Sequence, residues 1–271
     1  MKNDIYKCVA VNLENRKLIK KIIHAAETMK IDMKGNAFGV NYEIVCMVLS
    51  ELSGVPYGRV MRTLSKFGGG CVASTGQTRY KYQNCQEVYF SLMYPTISMN
   101  EYGDMQFGKY LLGDFIRCLI GARKVSKTFG DCSVSGKIKY MINMLFGFIS
   151  RSELEWADEY TKGVPATGRR LIGELTDALY NVDDVYPIHV NTDMVIITSL
   201  HEREDLSEVL DMFDGYQLFA DRLDGDVVIF DRIRYIVGKA ERFPTIHRTQ
   251  TRSASLTRAT LNMIDSVKEQ I

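Results

Sequence analysis

The chain has 271 residues, a net charge of +1 at pH 7, and 46% hydrophobic and 25% charged residues. These values are typical of a globular protein and exclude a disordered chain or a low-complexity scaffold. No apolar run approaches the length of about 18 residues that a membrane span needs, so we expect no membrane partner. The first 20 residues carry seven charged side chains and no apolar block. We therefore expect an intracellular, non-secreted protein.

Apolar residues recur at helical spacing in several segments, which predicts amphipathic helices. Alternating and β-branched runs predict strands, and two of these runs flank Thr192-Asp193 as a hairpin. A helical start followed by a sheet of distant segments, with a helical insertion between them, favours an α+β fold. The predicted helices are 18–30, 42–52, 110–127, 137–150 and 167–180, and the predicted strands are 71–73, 87–90, 187–191, 194–198, 226–230 and 233–237.

Asp193 stands between two β-branched runs, at the predicted tip of the hairpin. An acid in such a turn commonly makes only local hydrogen bonds. Many nucleotidyl transferases also hold a divalent cation with an acid that projects from a hairpin, because Mg²⁺ prefers carboxylate oxygens beside substrate phosphates. Both interpretations of Asp193 are open from the residues alone.

Lys139 and Asn143 are four residues apart and share one face of a predicted helix, and Arg123 lies on the helix before it. Two helices that direct an Arg and a Lys to one cleft are suited to binding a triphosphate. The alternative is that both residues are solvated cations on helix surfaces. Tyr94 and Pro95 follow a predicted strand, where a turn is an equally ordinary interpretation.

Taken in chain order, these segments resemble the polymerase part of family B DNA polymerases. The family's first palm motif, Asp-Phe-x-Ser-Leu-Tyr-Pro-Ser-Ile, is matched around Tyr94. Its fingers motif, Lys-x-x-x-Asn-Ser-x-Tyr-Gly, is matched from Lys139, and its second palm motif, Tyr-x-Asp-Thr-Asp-Ser, is matched at Asp193. A Lys-Lys-Arg-Tyr-like strand is matched at 232–235 and a glycine motif at 69–70. The matched segments span about two thirds of the chain, from 67 to 243.

The resemblance implies a polymerase-type palm with an antiparallel sheet and a helical fingers insertion. In this family the order of the motifs brings distant segments together. We therefore expect the strand 87–90, the Asp193 hairpin and the strand near Tyr235 to lie in one sheet. The implied segments are an N-terminal helical region (1–66), palm (67–108), fingers (109–150), palm again (151–245) and a thumb remnant or tail (246–271).

Carried over residue by residue, the resemblance implies contacts with template-primer DNA and with an incoming deoxynucleoside triphosphate. Asp193 is the expected Mg²⁺ ligand and catalytic acid. The residues expected to bind the nucleotide are Arg123 and Lys139 at the triphosphate, Asn143 at the base pair and Tyr94 beneath the sugar. The residues expected to contact DNA are Gly69 and Gly70 near the template, and Arg232, Arg234 and Tyr235 on the primer duplex.

The sequence departs from the family pattern where metal ions are bound. Tyr89 stands where the first metal-binding Asp belongs, and Asn191 replaces the first Asp of the second palm motif. Two Mg²⁺ ions need at least two bridging carboxylates, and only Asp193 is in place. Glu87 lies two residues from Tyr89 and points to the same face of a strand, so it is the nearby candidate for a substitute catalytic acid. In the fingers motif, Phe146 replaces Tyr.

Two classes of function follow from these residues. The first is a catalytically impaired or silent homologue, a pseudoenzyme that binds DNA or a polymerase partner as a structural or regulatory subunit. The second is an active minimal or split template-directed DNA polymerase in DNA replication, which the retained Arg123, Lys139 and Asn143 favour. The losses in three separate motifs favour the first. A third possibility is an unrelated α+β domain with chance matches.

The resemblance leaves two parts of a family B enzyme unaccounted for. Sixty-six residues precede Phe67, fewer than the family's proofreading exonuclease needs, and only a short tail follows Thr245, where the thumb belongs. A second polymerase subunit that supplies both parts is therefore an expected partner. Short polymerase pieces of this kind also suggest a virus or mobile element as the source, and hence the host cytoplasm or nucleus as the location.

Overall fold

The computed structural model describes residues 13–31, 38–57, 72–74, 80–201, 205–229 and 235–238. Helices and antiparallel strands are both present, which confirms the predicted α+β fold. Within the described ranges, no helix combines the length and the hydropathy that crossing a membrane requires. The helices are α1 (Leu13–Thr28), α2 (Phe38–Ser53), α3 (Met93–Tyr102), α4 (Leu112–Thr128), α5 (Cys132–Ile149), α6 (Ala157–Tyr180) and α7 (Ser207–Asp211). The strands are β1 (Val72–Ser74), β2 (Lys81–Tyr82), β3 (Cys85–Phe90), β4 (Gln106–Phe107), β5 (Tyr110–Leu111), β6 (Val185–Asn191), β7 (Met194–Ser199), β8 (Leu218–Arg222), β9 (Val227–Ile229) and β10 (Tyr235–Val237).

The chain divides into two compact units. Unit 1 comprises Met1–Gly68 and Tyr94–Pro165, and unit 2 comprises Gly69–Met93 and Ala166–Ile271. The predicted N-terminal region and the predicted fingers segment therefore fall in the same unit. The assignment of these segments to palm and fingers stays a prediction.

Unit 1 is built mainly from helices that each bury one apolar stripe. Helix α4 packs against α1 and α5, and α2 packs against α5. Leu18 and Ile22 of α1, Phe115 and Leu119 of α4, and Met141 of α5 are at most 1% exposed. Apolar residues at intervals of three and four place these side chains on one face of each helix. Their removal from water is the main favourable contribution to the stability of this unit.

Two helices begin earlier than their hydrophobic spacing predicts. Helix α5 begins at Cys132 because the Asp131 carboxylate accepts a hydrogen bond from the backbone N–H of Val134 (2.9 Å) and caps the helix. Helix α6 begins at Ala157, ten residues before the predicted start, and Pro165 lies inside it. Tyr160, only 1% exposed, extends the buried face of α6, and this burial offsets the backbone hydrogen bond that a proline cannot make.

The segment after β3 is a helix and not the turn that Tyr94 and Pro95 alone suggest. Both residues lie in the first turn of α3, where the missing N–H of proline breaks no helical hydrogen bond. Leu92, just before the helix, has a φ of +54°, a conformation that is strained for a bulky side chain. The neighbouring Ser91 N–H donates to the carbonyl of Gln217 (3.0 Å), which holds this bend in place.

Unit 2 contains a five-stranded antiparallel sheet, whose described strands have the order β1-β6-β7-β3-β8. Strands β6 and β7 form the predicted hairpin, with Asn191 opposite Met194. Strand β3 lies between β7 and β8. The strand 87–90 and the Asp193 hairpin therefore share one sheet, as the order of the motifs predicts.

The strand of Tyr235 belongs to a different sheet, which corrects the prediction of a single sheet. Strand β10 pairs with β9, and β9 pairs with β2, in a separate three-stranded sheet. Tyr235 and Ile229 of this sheet pack against Ile188 and Met194 of the larger one. Residues of both sheets thus share one hydrophobic cluster, so β10 contributes to the core without joining the large sheet.

Candidate functional site

The hairpin tip holds Asp193 beside the end of strand β3. The carbonyl of Asp193 accepts a hydrogen bond from the Phe90 N–H (2.8 Å), so the turn is attached to β3 through its backbone. The Asp193 side chain is exposed. The Thr192 hydroxyl donates to the amide oxygen of Asn191 (3.3 Å), the residue that replaces the family's first acid in this motif. The tip thus presents one carboxylate and one amide.

The strand register places two acids and a phenol on one face of the large sheet. Tyr89 is opposite Phe219 of β8, and Glu87 is opposite Asp221 of β8. Residues directly opposite each other, and residues two apart on one strand, project from the same face. Glu87, Tyr89 and Asp221 therefore form one group, which we call the Tyr89 face.

Tyr89 occupies the position of the missing metal-binding Asp and is engaged by a neighbour. Its hydroxyl donates a hydrogen bond to Oδ2 of Asp221 (2.9 Å), and its ring lies 5.9 Å from that of Phe219. The hydrogen bond to Asp221 raises the pKa of Tyr89, and burial and the charges of Asp221 and Glu87 raise it further. Tyr89 is therefore a neutral hydrogen-bond donor at pH 7.

Tyr235 lies beneath the hairpin and is sensitive to both acids of the candidate site. Its ring is 5.2 Å from that of His189, and its hydroxyl is 3.9 Å from the sulfur of Met194. Burial raises the pKa of Tyr235, and the negative charges of Glu87 and Asp193 raise it further. Both carboxylates thus act on the same buried hydroxyl. Tyr235 is 3% exposed, so its ring belongs to the core in this structure.

The acids of unit 2 do not fit the two metal ions that the polymerase resemblance implies. Tyr89 supplies a neutral hydroxyl where that chemistry needs a carboxylate, and Asp221 already accepts a hydrogen bond from this hydroxyl. Across the described residues, no group of three or more His, Cys, Asp and Glu side chains is placed to hold a metal ion. Asp193 matches an acid of the polymerase motif. Glu87 lies on β3, two residues before Tyr89.

Unit 1 contains the residues predicted to bind a nucleotide. Lys139 and Asn143 are both exposed and lie one turn apart on α5. Arg123 of α4 is half-buried, and its Nε atom is buried without a hydrogen-bond partner among the described residues. We call the stripe of α5 formed by exposed Lys139, exposed Asn143 and half-buried Phe146 the Lys139 face.

The structure brings Tyr94 onto the Lys139 face. Its ring lies 5.3 Å from the ring of Phe146, which comes three residues after Asn143. Tyr160 packs against this pair. Its ring is 5.7 Å from that of Phe146, and its hydroxyl is 2.8 Å from that of Ser98. The Ser98 hydroxyl donates to the carbonyl of Tyr94 (2.7 Å). The ring of Tyr94 is therefore held by packing against Phe146, and its backbone carbonyl is held by the hydrogen bond from Ser98.

Some of the candidate residues lie beyond what the structure describes, and one important residue was not predicted. Gly69, Gly70, Arg232 and Arg234 fall outside the described residues. Asp221 was missed because strand β8 carries no strong alternation, and because only the pairing register shows that it faces Tyr89. The sequence offered one signal for Asp221, namely an acid within a short segment between two turns.

Comparisons with known proteins place the fold. No protein-family model matches this sequence, and no curated protein matches it. The structure is similar to that of the family B DNA polymerase from the hyperthermophilic archaeon Pyrobaculum calidifontis, with a TM-score of 0.56 and 13% sequence identity. The similarity covers 95% of this chain and 42% of that one, so this chain spans less than half of the polymerase's length. The likeness at this identity is one of fold.

Proposed function

We propose that this chain is a catalytically impaired or silent relative of a DNA polymerase core that binds DNA as a structural or regulatory subunit. In this proposal it works beside a polymerase subunit that supplies the exonuclease and the thumb. The similarity of its fold to a family B DNA polymerase supports a partnership with DNA or nucleotides in general.

The observation that carries the proposal is the hydrogen bond from Tyr89 to Asp221 (2.9 Å). Phosphoryl transfer depends almost entirely on positioning and on compensation of the developing negative charge. Carboxylates that hold metal ions supply that compensation in polymerases. At position 89 the chain has a neutral phenol instead of a carboxylate. This phenol also donates a hydrogen bond to Asp221, the carboxylate beside it.

Binding is proposed to survive because the residues suited to it are retained. Lys139, Asn143 and Phe146 lie along one stripe of α5, Tyr94 packs against Phe146, and Arg123 belongs to the same unit. On sequence grounds, Gly69, Gly70, Arg232 and Arg234 are assigned to the template-primer duplex, whereas the buried ring of Tyr235 is not available for this contact. Cations that contact phosphates contribute affinity without sequence preference, so we expect DNA binding that weakens as salt is raised.

The second candidate function is an active minimal or split DNA polymerase. One observation favours it: the Phe90 N–H donates to the carbonyl of Asp193 (2.8 Å), so the strand that carries Glu87 ends beside the hairpin tip. In this candidate function, Glu87 takes the place of the missing Asp.

Primer extension with purified protein separates the two candidates. Each reaction contains a labelled template-primer, the four deoxynucleotides and Mg²⁺ or Mn²⁺, with wild-type, Asp193→Ala and Glu87→Ala proteins side by side. We expect no extension above that of Asp193→Ala, while fluorescence anisotropy shows that all three proteins bind the template-primer. Robust extension by the wild type that both substitutions abolish establishes the second candidate instead. Failure of the wild type to bind DNA at low salt contradicts the proposal itself.

A further inference from the structure

A groove in unit 2 collects exposed aromatic side chains, at the end of the β6–β7 hairpin that is remote from Asp193. Its volume is about 930 Å³. Tyr80, Tyr180, Tyr186 and Leu200 are 54%, 60%, 50% and 67% exposed, and Tyr82 is half-buried. Large side chains of this type are scattered singly on most protein surfaces, and contiguous patches of them mark interaction sites. We call this feature the tyrosine groove.

Strands β2, β6 and β7 and the end of helix α6 supply part of the groove's lining. Tyr186 is opposite Thr198 in the hairpin, and Tyr180 is the last residue of α6. The rings of Tyr80 and Tyr82 are 4.8 Å apart and inclined at 59°. The Thr198 hydroxyl donates to the carbonyl of Gln83 (2.6 Å), which ties β7 to the segment after β2. A ligand therefore meets a largely preformed surface, which lowers the entropic cost of binding.

Among the described residues in and beside the groove, acidic side chains outnumber basic ones. Lys81, the cation among the described residues of the lining, forms an ion pair with Asp226 (2.7 Å). Helix α6 ends at Tyr180 with no basic residue in its last turn, so the negative end of its dipole is not balanced by a side chain. Asp183 and Asp184 follow and are exposed, with His201 as the ion-pair partner of Asp184 (3.5 Å). This end repels a polyanion and attracts a cation.

We propose that the tyrosine groove binds an extended, proline-rich and basic segment of a partner protein. Proline-rich segments adopt the polyproline II conformation before binding, and they dock in grooves lined by aromatic rings. Tyrosine hydroxyls on the rim donate to the carbonyls that such a segment leaves without partners. An Arg or Lys beside the prolines interacts with Asp183 and Asp184 and with the face of Tyr180. The proposal does not depend on DNA binding or on catalysis.

Fluorescence anisotropy with synthetic probes tests the occupant. The probes are a labelled Arg-Pro-Leu-Pro-Pro-Leu-Pro-Arg peptide, the same peptide with both Arg replaced by Glu, and a labelled oligothymidine strand. We expect the full chain to bind the Arg peptide at micromolar concentrations and at least about fivefold more tightly than the Glu peptide, since complementary charges are worth about 1 kcal/mol here. If the oligothymidine binds at this groove in preference to both peptides, or if neither peptide binds, the proposal is overturned.

Substitutions in the groove test the location. Tyr180→Ala and Tyr186→Ala are each expected to weaken binding of the Arg peptide by about tenfold, the usual loss at an interface tyrosine. Asp184→Asn is expected to weaken binding of the Arg peptide and to reduce its advantage over the Glu peptide, because the attraction of one and the repulsion of the other are both removed. Phe129→Ala, which removes an exposed ring (67%) in unit 1, is the matched control and is expected to bind as the wild type does. Circular dichroism melting checks that the variants are folded. Wild-type affinity in folded Tyr180→Ala and Tyr186→Ala proteins overturns the proposal.

Discussion

Helix α5 and strand β3 each carry a segment that resembles a family B polymerase motif, and they differ in what they retain. The Lys139 face of α5 keeps the cation and the amide of the motif, with Tyr94 packed against Phe146 (5.3 Å). The Tyr89 face of β3 keeps the fold of the motif but not its acid. There the phenol of Tyr89 donates to Asp221 (2.9 Å).

The two faces differ in how much they lower the stability of the folded protein when no ligand is bound. Exposed Lys139 and Asn143 are solvated, so they are retained at little expense to stability. A carboxylate at position 89 has Glu87 two residues away and Asp221 on the next strand, and like charges in such positions repel. A neutral tyrosine replaces that repulsion with a hydrogen bond. The comparison teaches that neighbouring carboxylates on one sheet face repel each other, whereas an exposed cation and amide on a helix surface cost little stability.

The largest expected effect lies beneath the Lys139 face. Tyr160→Ala removes a ring that is 1% exposed and supports Phe146, and we expect a loss of about 3–5 kcal/mol in the free energy of unfolding. Tyr160→Phe keeps the ring and loses the hydrogen bond to Ser98, at a cost of about 1 kcal/mol. Urea denaturation measures both. Tyr180→Ala, in which the ring is 60% exposed, is the control, and an equal loss there contradicts the supporting role of Tyr160.

The second prediction restores the acid on the Tyr89 face. Tyr89→Asp is expected to lower the melting temperature in the presence of a chelator, because three carboxylates then lie on one face. Mn²⁺ at tenfold above its Kd is expected to return about 1.4 kcal/mol of stability. Tyr89→Asn, similar in size and neutral, is the matched control. The wild type and Tyr89→Asn should not respond to Mn²⁺, and an equal response in all three proteins contradicts the comparison.

The third prediction sharpens the comparison at the Lys139 face. Lys139→Ala removes an exposed charge and is expected to weaken binding of a fluorescent deoxynucleotide triphosphate by about fivefold, or about 1 kcal/mol. Lys162→Ala removes an exposed charge from α6 of the same unit and serves as the control. A titration followed by fluorescence gives both values. Equal losses in the two variants show that the effect is one of net charge and not of a site.

The smallest effect concerns pH. The raised pKa of Tyr235 means that the folded state favours the neutral phenol. The stability that this preference contributes is present below pH ~10 and is lost as the pH rises above it. Stability of the wild type should therefore fall more steeply above pH ~10 than that of Tyr235→Phe. Glu87→Gln removes one of the two charges that raise this pKa, so the phenol should ionise at lower pH. Ultraviolet absorbance of the phenolate follows the titration. An unchanged titration in Glu87→Gln shows that Glu87 does not face Tyr235.

The sequence predicts helices α1, α2, α4 and α5 of unit 1 and the hairpin of unit 2 because each depends on local spacing, whereas helix α3 was not predicted. Apolar residues at intervals of three and four predict α4, and the β-branched runs around Asp193 predict β6 and β7. The start of α6 was predicted at Thr167, where Thr167-Gly168 resembles a helix cap; the helix begins ten residues earlier and continues through Pro165, with Tyr160 buried on the same face. The strand of Tyr235 was predicted correctly but assigned to the wrong sheet.

For the candidate site, the sequence alone determined which residue types stand at each motif position. It identified Tyr89 in place of an acid, Asp193 at a hairpin tip and Lys139 four residues before Asn143. Only the tertiary structure decided what surrounds them. The register of β3 against β8 brings Asp221 to Tyr89, and the fold of α3 brings Tyr94 to Phe146. These contacts join residues far apart in the chain, and sequence spacing fixes only the faces of single elements, not the pairing between them.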